Sequence, residues 1–253
     1  MRYGVLADIH GNLPALRTAV EALRGSNVQR WLVAGDLVGY GPQPNECIEE
    51  IAALDPIAVA GNHDLIALGQ LSEERCIPLA QESLRWTRGV LTADSRAWLQ
   101  ALPLRAEAPG GIVMAHGSLG DPEEYTVTRR QALPQLQEVE RGGGRTLVLG
   151  HTHRPWAFGS SSGRRSLRRP LELPVGEAIL LNPGAVGQSR EVRLRARALM
   201  IDTKAGIAEF LALPYDVDAA QLALRRAGLS ERGLHLRPSL PGLARRALSR
   251  LRS

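Results

Sequence analysis

Five short apolar runs, each ending in side chains that can bind a cation, constrain this chain more than any other feature of its sequence. The clearest is Ile57-Ala58-Val59-Ala60, which hands over to Gly61-Asn62-His63-Asp64. A β-branched run that ends in glycine and then polar residues reads as a buried strand delivering its tip to a site. Asn62 offers a neutral amide oxygen, and His63 an imidazole that titrates near neutrality. The construction recurs where Tyr3–Ala7 meets Asp8-Ile9-His10 and where Trp31–Ala34 meets Gly35-Asp36. It recurs again where Ile112–Ala115 meets His116 and where Thr146–Leu149 meets Gly150-His151-Thr152-His153. One polar turn after a strand carries no message. Here, however, five of the six histidines occupy these run ends, and only His235 lies elsewhere.

Helical patterns separate the runs. Leu13, Leu16, Val20 and Leu23 recur at helical spacing, with Pro14 suited to a first turn and Gly25 to a stop. A second helix is expected from Asn45 to Leu54, and a third from Arg129 to Val139 with Pro134 inside it. The stretch from Leu65 to Leu102 reads as helical, with Trp86 and Trp98 as core anchors and Thr92 as a cap. Beyond His153 the pattern changes to β pieces at Pro155–Phe158, Ala178–Leu181, Ala198–Asp202 and Ile207–Leu213. Strands alternating with helices, followed by a run of strands, predict an α/β (α+β) chain built on two mixed sheets. In such sheets ligands gather at the carboxyl ends of strands, which is where the polar residues fall.

The run ends together supply Asp8, His10, Asp36, Asn62, His116, His151 and His153. Nitrogen and oxygen donors without thiolate suit Mn, Fe, Zn, Co or Ni rather than a soft metal or an iron–sulfur cluster. Seven donors are too many for one tetrahedral ion and suit two divalent transition-metal ions that share a carboxylate. Paired ions about 3.5–4 Å apart clamp the attacking and leaving oxygens of an in-line displacement. Two dications, less Asp8, Asp36 and a hydroxide, leave a net charge of about +1, which attracts a phosphate ester.

Composition narrows the class. The apolar fraction of 44% is ordinary for a globular chain, and no stretch approaches the length of a membrane span. Met1-Arg2-Tyr3 runs directly into a strand without a signal peptide, and Cys47 and Cys76 form no spacing motif. Both features point to a cytoplasmic protein. The net charge of +5 is unevenly placed. Residues 225–253 hold eight arginines and one glutamate, whereas the other 224 residues hold 23 basic and 25 acidic groups. The expected organisation is therefore a domain over 1–224 and a basic tail over 225–253. In the tail, Leu240, Leu243, Leu248 and Leu251 alternate with Arg245, Arg246, Arg250 and Arg252 as in a short basic amphipathic helix. That makes nucleic acid a candidate partner, although the tail lacks the aromatic residues that base stacking uses. Ser160 to Arg169 is a second basic stretch, read as a solvated loop or as a rim for an anionic substrate.

The blocks Asp8-x-His10, Gly35-Asp36, Gly61-Asn62-His63-Asp64, His116 and Gly150-His151-Thr152-His153 occur in an order that resembles the calcineurin-like metallophosphoesterase superfamily. Asn182-Pro183-Gly184-Ala185-Val186-Gly187-Gln188 is similar to the Asn-Pro-Gly-Ser segment of its small prokaryotic phosphodiesterase members, with Ala185 in place of serine. The resemblance covers about residues 1–216. It implies a four-layer αββα sandwich, two mixed sheets flanked by helices, with a dinuclear centre in which manganese is favoured. By the same resemblance Asp8, His10, Asp36 and His153 hold one ion, Asp36 bridges, and Asn62, His116 and His151 hold the other. His63 matches the group that assists the leaving oxygen after attack by a metal-bridging hydroxide, with Asp64 beside it. Tyr40 and Asn12 are expected to face the substrate. Protein Ser/Thr phosphatases of this superfamily carry arginines just before Gly-Asn-His and after Gly-Asp, where this chain has Val59-Ala60 and Leu37–Gly41. That departure favours a small phosphodiester, nucleotides among the candidates, over a phosphoprotein. The rival expectations are a phosphomonoesterase or protein phosphatase, a non-catalytic scaffold on the same fold, and a nucleic-acid binder acting through the tail.

Overall fold

The computed structural model describes residues 1–167 and 170–237. The first half alternates β1 (Arg2–Leu6), α1 (Leu13–Gly25), β2 (Arg30–Ala34), α2 (Pro44–Ala52) and β3 (Ile57–Val59). Three helices follow, α3 (Asn62–Ala67), α4 (Pro78–Val90) and α5 (Ala93–Gln100), and then β4 (Arg105–Ala108) and β5 (Ile112–Ala115). After α6 (Arg129–Arg141) the chain is mostly strand: β6 (Thr146–Val148), β7 (Trp156–Gly159), β8 (Gly163–Arg164), β9 (Leu171–Glu172) and β10 (Ile179–Asn182). It closes with β11 (Ala196–Asp202), β12 (Ile207–Leu213) and α7 (Val217–Arg226), followed by a 3-10 turn over Glu231–Leu234.

These strands form two six-stranded sheets, ordered β3-β2-β1-β11-β12-β9 and β4-β5-β6-β10-β7-β8. Both are mixed. β1, β2 and β3 run parallel, as do β5, β6 and β10, while β11, β12, β4 and β7 pair antiparallel. Period-2 alternation decides what each face meets. Tyr3, Val5, Leu32 and Val59 of the first sheet pack against Ile112, Met114, Val148 and Leu181 of the second. Leu6 and Val33 point the other way, onto Leu16, Leu23, Ile48 and Ile51 of α1 and α2. On the far side of the second sheet, Val113, Leu147 and Leu180 pack under Leu136 and Val139 of α6. The result is the expected αββα sandwich.

Local signals account for the helix ends. Asn12 caps α1 with its side chain on the Ala15 N–H, and Thr92 caps α5 through the Ser95 N–H. Several expectations need correction. Trp86 and Trp98 are only half-buried, and Leu84 and Leu99 fill the core there instead. β4 was not anticipated. It is the edge strand of its sheet, and Arg105 and Glu107 give it a polar pattern rather than an apolar run. Ser161, Ser162, Arg164 and Ser166 are exposed as a solvated loop requires, and the described part of the 160–169 stretch does not line the cleft at the strand ends. Arg168 and Arg169 lie outside the described residues. The loop is nonetheless more ordered than expected. Gly163–Arg164 pairs with β7 as a hairpin at a sheet edge, and Glu177 accepts the Ser161 and Ser162 N–H groups. The expected boundary at 224/225 falls inside α7, and Leu229 and Leu234 beyond it are buried with Ala220 and Leu224. The amphipathic pattern from Leu240 onward lies outside the described residues. Among the described residues no helix is long and apolar enough to cross a membrane.

Candidate metal centre

β1, β2 and β3 bring Asp8, His10, Asp36 and Asn62 to one end of the first sheet. β5 and β6 bring His116, His151 and His153 to the adjoining end of the second. The turns that carry these residues are sharply bent. Asp8, His10, Asp36, Tyr40, His151 and His153 all adopt left-handed backbone, with φ of 54°, 50°, 56°, 59°, 65° and 57°. Such conformations cost roughly 1–3 kcal/mol each for residues other than glycine, and they persist where surrounding contacts impose them. Here those contacts are visible. Asp8 N donates to Gly35 O and His10 N to Asp36 O, tying the first two turns together. Val186 N and Gly187 N donate to Ala7 O and Asp8 O, so the Asn182–Gln188 segment closes over the end of β1. Gly187 must be glycine, because a Cβ there would strike the Ile9 carbonyl. Gly61 must be glycine for a similar reason, since its Cβ would strike the Asp36 carboxylate.

Two donor sets result. Asp8, His10, Asp36 and His153 form one, and Asp36, His116 and His151 the other, with the donor atoms of each set within 4.8 Å of one another. Asn62 joins the second set, its Oδ1 lying 3.1 Å from His151 Nδ1. All these side chains are buried.

The hydrogen bonds fix which ring nitrogen of each histidine is left bare. A carbonyl oxygen can only accept, so the nitrogen facing it must carry the proton. His10 Nδ1 donates to Val38 O (2.9 Å), His116 Nδ1 to Ala34 O (2.7 Å) and His153 Nδ1 to Gln188 O (2.7 Å). His151 is reversed, with Nε2 donating to Glu123 O at 3.0 Å and Nδ1 turned to Asn62. His10 Nε2 and His153 Nε2 then face each other at 3.2 Å. Burial drives the pKa of both rings well below the ordinary value, so both nitrogens present lone pairs. Two lone pairs at that distance repel unless a cation lies between them. Asp8 Oδ2, Asp36 Oδ2 and His116 Nε2 are also buried without hydrogen-bond partners, an arrangement that is costly for the protein alone. Burial works against a charge on His116, yet Asp36 and Asp8 push its pKa up to about 9. His116 Nε2 lies 3.2 Å from Asp36 Oδ2 and 4.0 Å from Asp8 Oδ1, a gathering of donor atoms that suits a divalent ion. The residues therefore fit bound metal.

His63 differs from the other four strand-end histidines. Neither of its ring nitrogens makes a hydrogen bond among the described residues, and Nδ1 is buried. Its ring stacks on Tyr40 at 5.0 Å and meets His10 edge-on at 4.8 Å. Burial lowers its pKa to about 4. Tyr40 and His63 both line a cleft of about 580 Å³ that opens above the donor sets.

Asp64 and Asn12 take other places than expected. The Asp64 carboxylate accepts the N–H groups of Asp36, Leu37, Val38 and Gly61 at 2.9, 2.9, 3.2 and 2.9 Å, which pins two ligand-bearing turns and leaves His63 aside. Asn12 spends its side chain on the α1 cap and on donations to Gly187 O and Tyr215 Oη. It does not line the cleft. The cleft instead holds residues that sequence reasoning passed over: Asp121, Glu123, Glu124, Tyr125, Arg75 and Arg190. Arg190 lies two residues beyond the recognised Asn182–Gln188 segment, which was the one available signal.

The family model for calcineurin-like phosphoesterases matches residues 1–183. An uncharacterized protein of Methanocaldococcus jannaschii, MJ0912, is 30% identical over 219 residues, spanning 85% of this chain and 88% of that protein. A metallophosphoesterase from Sphaerobacter thermophilus superposes with a TM-score of 0.81 at 30% identity, covering 92% of this chain and 96% of that one. The hypothetical protein PH1004 from Pyrococcus horikoshii OT3 shares the fold with a TM-score of 0.76 at 19% identity, again over 92% and 96%.

Proposed function

This chain belongs to the calcineurin-like phosphoesterase family and is a hydrolase of phosphoric ester bonds; on that premise we propose that it is a phosphodiesterase working through two divalent ions. Asp8, His10, Asp36 and His153 would hold one ion, and Asn62, His116 and His151, sharing Asp36, the other. The observation that carries this reading is Asp36, whose carboxylate belongs to both donor sets. The mixed carboxylate, amide and imidazole donors suit Mn, Fe, Zn, Co or Ni, and the family resemblance favours manganese among them. When bound, such ions supply an activated water and offset charge on the phosphoryl oxygens.

The protein's own residues do the rest. Asp64 holds the Asp36 turn against the Asn62 turn, so the two donor sets keep their spacing. His63, free of any carbonyl, is the group left to assist the leaving oxygen, as proton donor or as a stabilising dipole. Tyr40 fixes its ring by stacking. Glu123 is paired with Arg75, and Asp121 and Glu124 remain in the cleft beside Arg190, a balance that disfavours a monoester dianion more than a singly charged diester. Tyr125, 45% exposed in the same cleft, offers an aromatic face to a nucleobase, so a nucleotide diester is the substrate class proposed.

A panel of mono- and diesters tested on manganese-loaded protein decides this. A kcat/KM at least about tenfold higher for bis(p-nitrophenyl) phosphate than for p-nitrophenyl phosphate is expected. The reverse preference would overturn the diester reading.

A further inference from the structure

Two arginines reach the cleft, and they are not equivalent. Arg75 is largely exposed and already paired, its Nη1 2.9 Å from Glu123 Oε2. Arg190 is half-buried and forms no ion pair among the described residues, although other arginines readily find carboxylates, as Arg197 does with both oxygens of Glu191. Desolvating a guanidinium without a counter-charge is costly, and a protein keeps such a group where an anion is to arrive.

The guanidinium is also held in place. Nη1 donates to Tyr125 Oη at 2.8 Å and Nε to Gln188 Oε1 at 3.3 Å, leaving Nη2 with no protein partner among the described residues. The Tyr125 ring lies 5.9 Å from the guanidinium carbon and 4.1 Å from the His151 ring. On the other side, the Gln188 carbonyl fixes His153. Arg190 is thereby linked through Tyr125 to His151 and through Gln188 to His153, one histidine from each donor set. Its backbone neighbour Ser189 is clamped by the Leu234 carbonyl and the Leu236 N–H, so the loop carrying it is anchored.

We infer that Arg190, positioned by Tyr125 and Gln188, is the anion-binding residue of this cleft and receives a non-bridging oxygen of the substrate phosphoryl group. This rests on the phosphoesterase reading above and adds the residue that recognises the phosphate. It also offers a functional replacement for the arginines missing near Ala60 and Leu37. A planar fork fixed by two hydrogen bonds loses little freedom on binding an oxyanion, which lysine cannot match.

Inorganic phosphate titrated calorimetrically into the metal-loaded protein tests this without any turnover. Arg190→Gln should keep the wild-type metal content by elemental analysis and bind phosphate roughly 10–100-fold more weakly. Arg190→Lys should fall between, and Tyr125→Phe should lose a few-fold by releasing one restraint. Phosphate affinity within twofold of wild type in Arg190→Gln or Arg190→Lys would overturn the proposal. Loss of metal in Arg190→Lys would overturn it as well, because Arg190 would then serve the His153 loop. Should Arg190→Gln not fold, Arg190→Lys and Tyr125→Phe decide alone. A wild-type protein that binds phosphate through Arg190 yet hydrolyses no ester would refute the proposed function and leave this assignment standing.

Discussion

The histidines at the strand ends divide into two kinds. His10, His116, His151 and His153 each donate one ring nitrogen to a backbone carbonyl, which sets the tautomer and aims the other nitrogen inward. His63 sits among them, one residue from Asn62, and is tied at neither nitrogen. A metal ligand needs its second nitrogen restrained so that the lone pair holds its direction. A group that moves a proton needs the opposite. The contrast supports the proposed division of roles, which strand-end position alone does not make, since all five occupy equivalent places.

The largest expected effect falls on His63. His63→Ala should retain the wild-type metal content while lowering kcat for alkyl esters by about 10²–10⁴-fold. For a nitrophenyl ester, whose leaving group scarcely needs a proton, the loss should be much smaller. Equal losses on both, with metal retained, would replace proton donation by electrostatic stabilisation. Loss of an ion would move His63 into the ligand class and erase the contrast.

Asp64 sharpens the comparison from the neighbouring position. Its oxygens accept four buried N–H groups, so Asp64→Asn leaves two of them facing an amide donor. At about 1–3 kcal/mol for each unsatisfied group, destabilisation of roughly 2–5 kcal/mol is expected in chemical denaturation. A variant with unchanged stability and lost turnover would return Asp64 to the chemistry. Asn12 should give the smallest effect. Asn12→Ala removes a helix cap and should lower stability by about 1 kcal/mol, with KM unchanged. A raised KM in a fully folded variant would restore its contact with substrate.

What the sequence made legible follows from how the information is encoded. The seven candidate ligands and His63 lie immediately after buried parallel strands, where a local apolar-to-polar switch marks the strand and its polar end. Their gathering at one end of the fold is therefore legible locally, whereas the division of roles among them is not. Where two or more distant segments decide the outcome, the local pattern falls short. Asp64 and Asn12 are polar residues in suitable places whose orientation depends on backbone groups 27 and 175 residues away. Arg190 and Tyr125 sit on loops, 65 residues apart, and become a pair only because the two sheets share an end. β4 was invisible because an edge strand buries little, and Arg105 and Glu107 mask its alternation. The boundary expected at 224/225 follows a change in charge, whereas α7 runs across it and Leu229 and Leu234 pack with Ala220 and Leu224, which charge does not report.

The central claim is that one carboxylate, Asp36, joins two donor sets into a single dinuclear centre. Elemental analysis of the protein and of Asp36→Asn and Asp8→Asn variants, each loaded with manganese and desalted, tests it directly. The account predicts about two ions in the wild type, and fewer in Asp36→Asn than in Asp8→Asn, because Asp36 serves both sets and Asp8 only one. Two ions retained equally in both variants would contradict it.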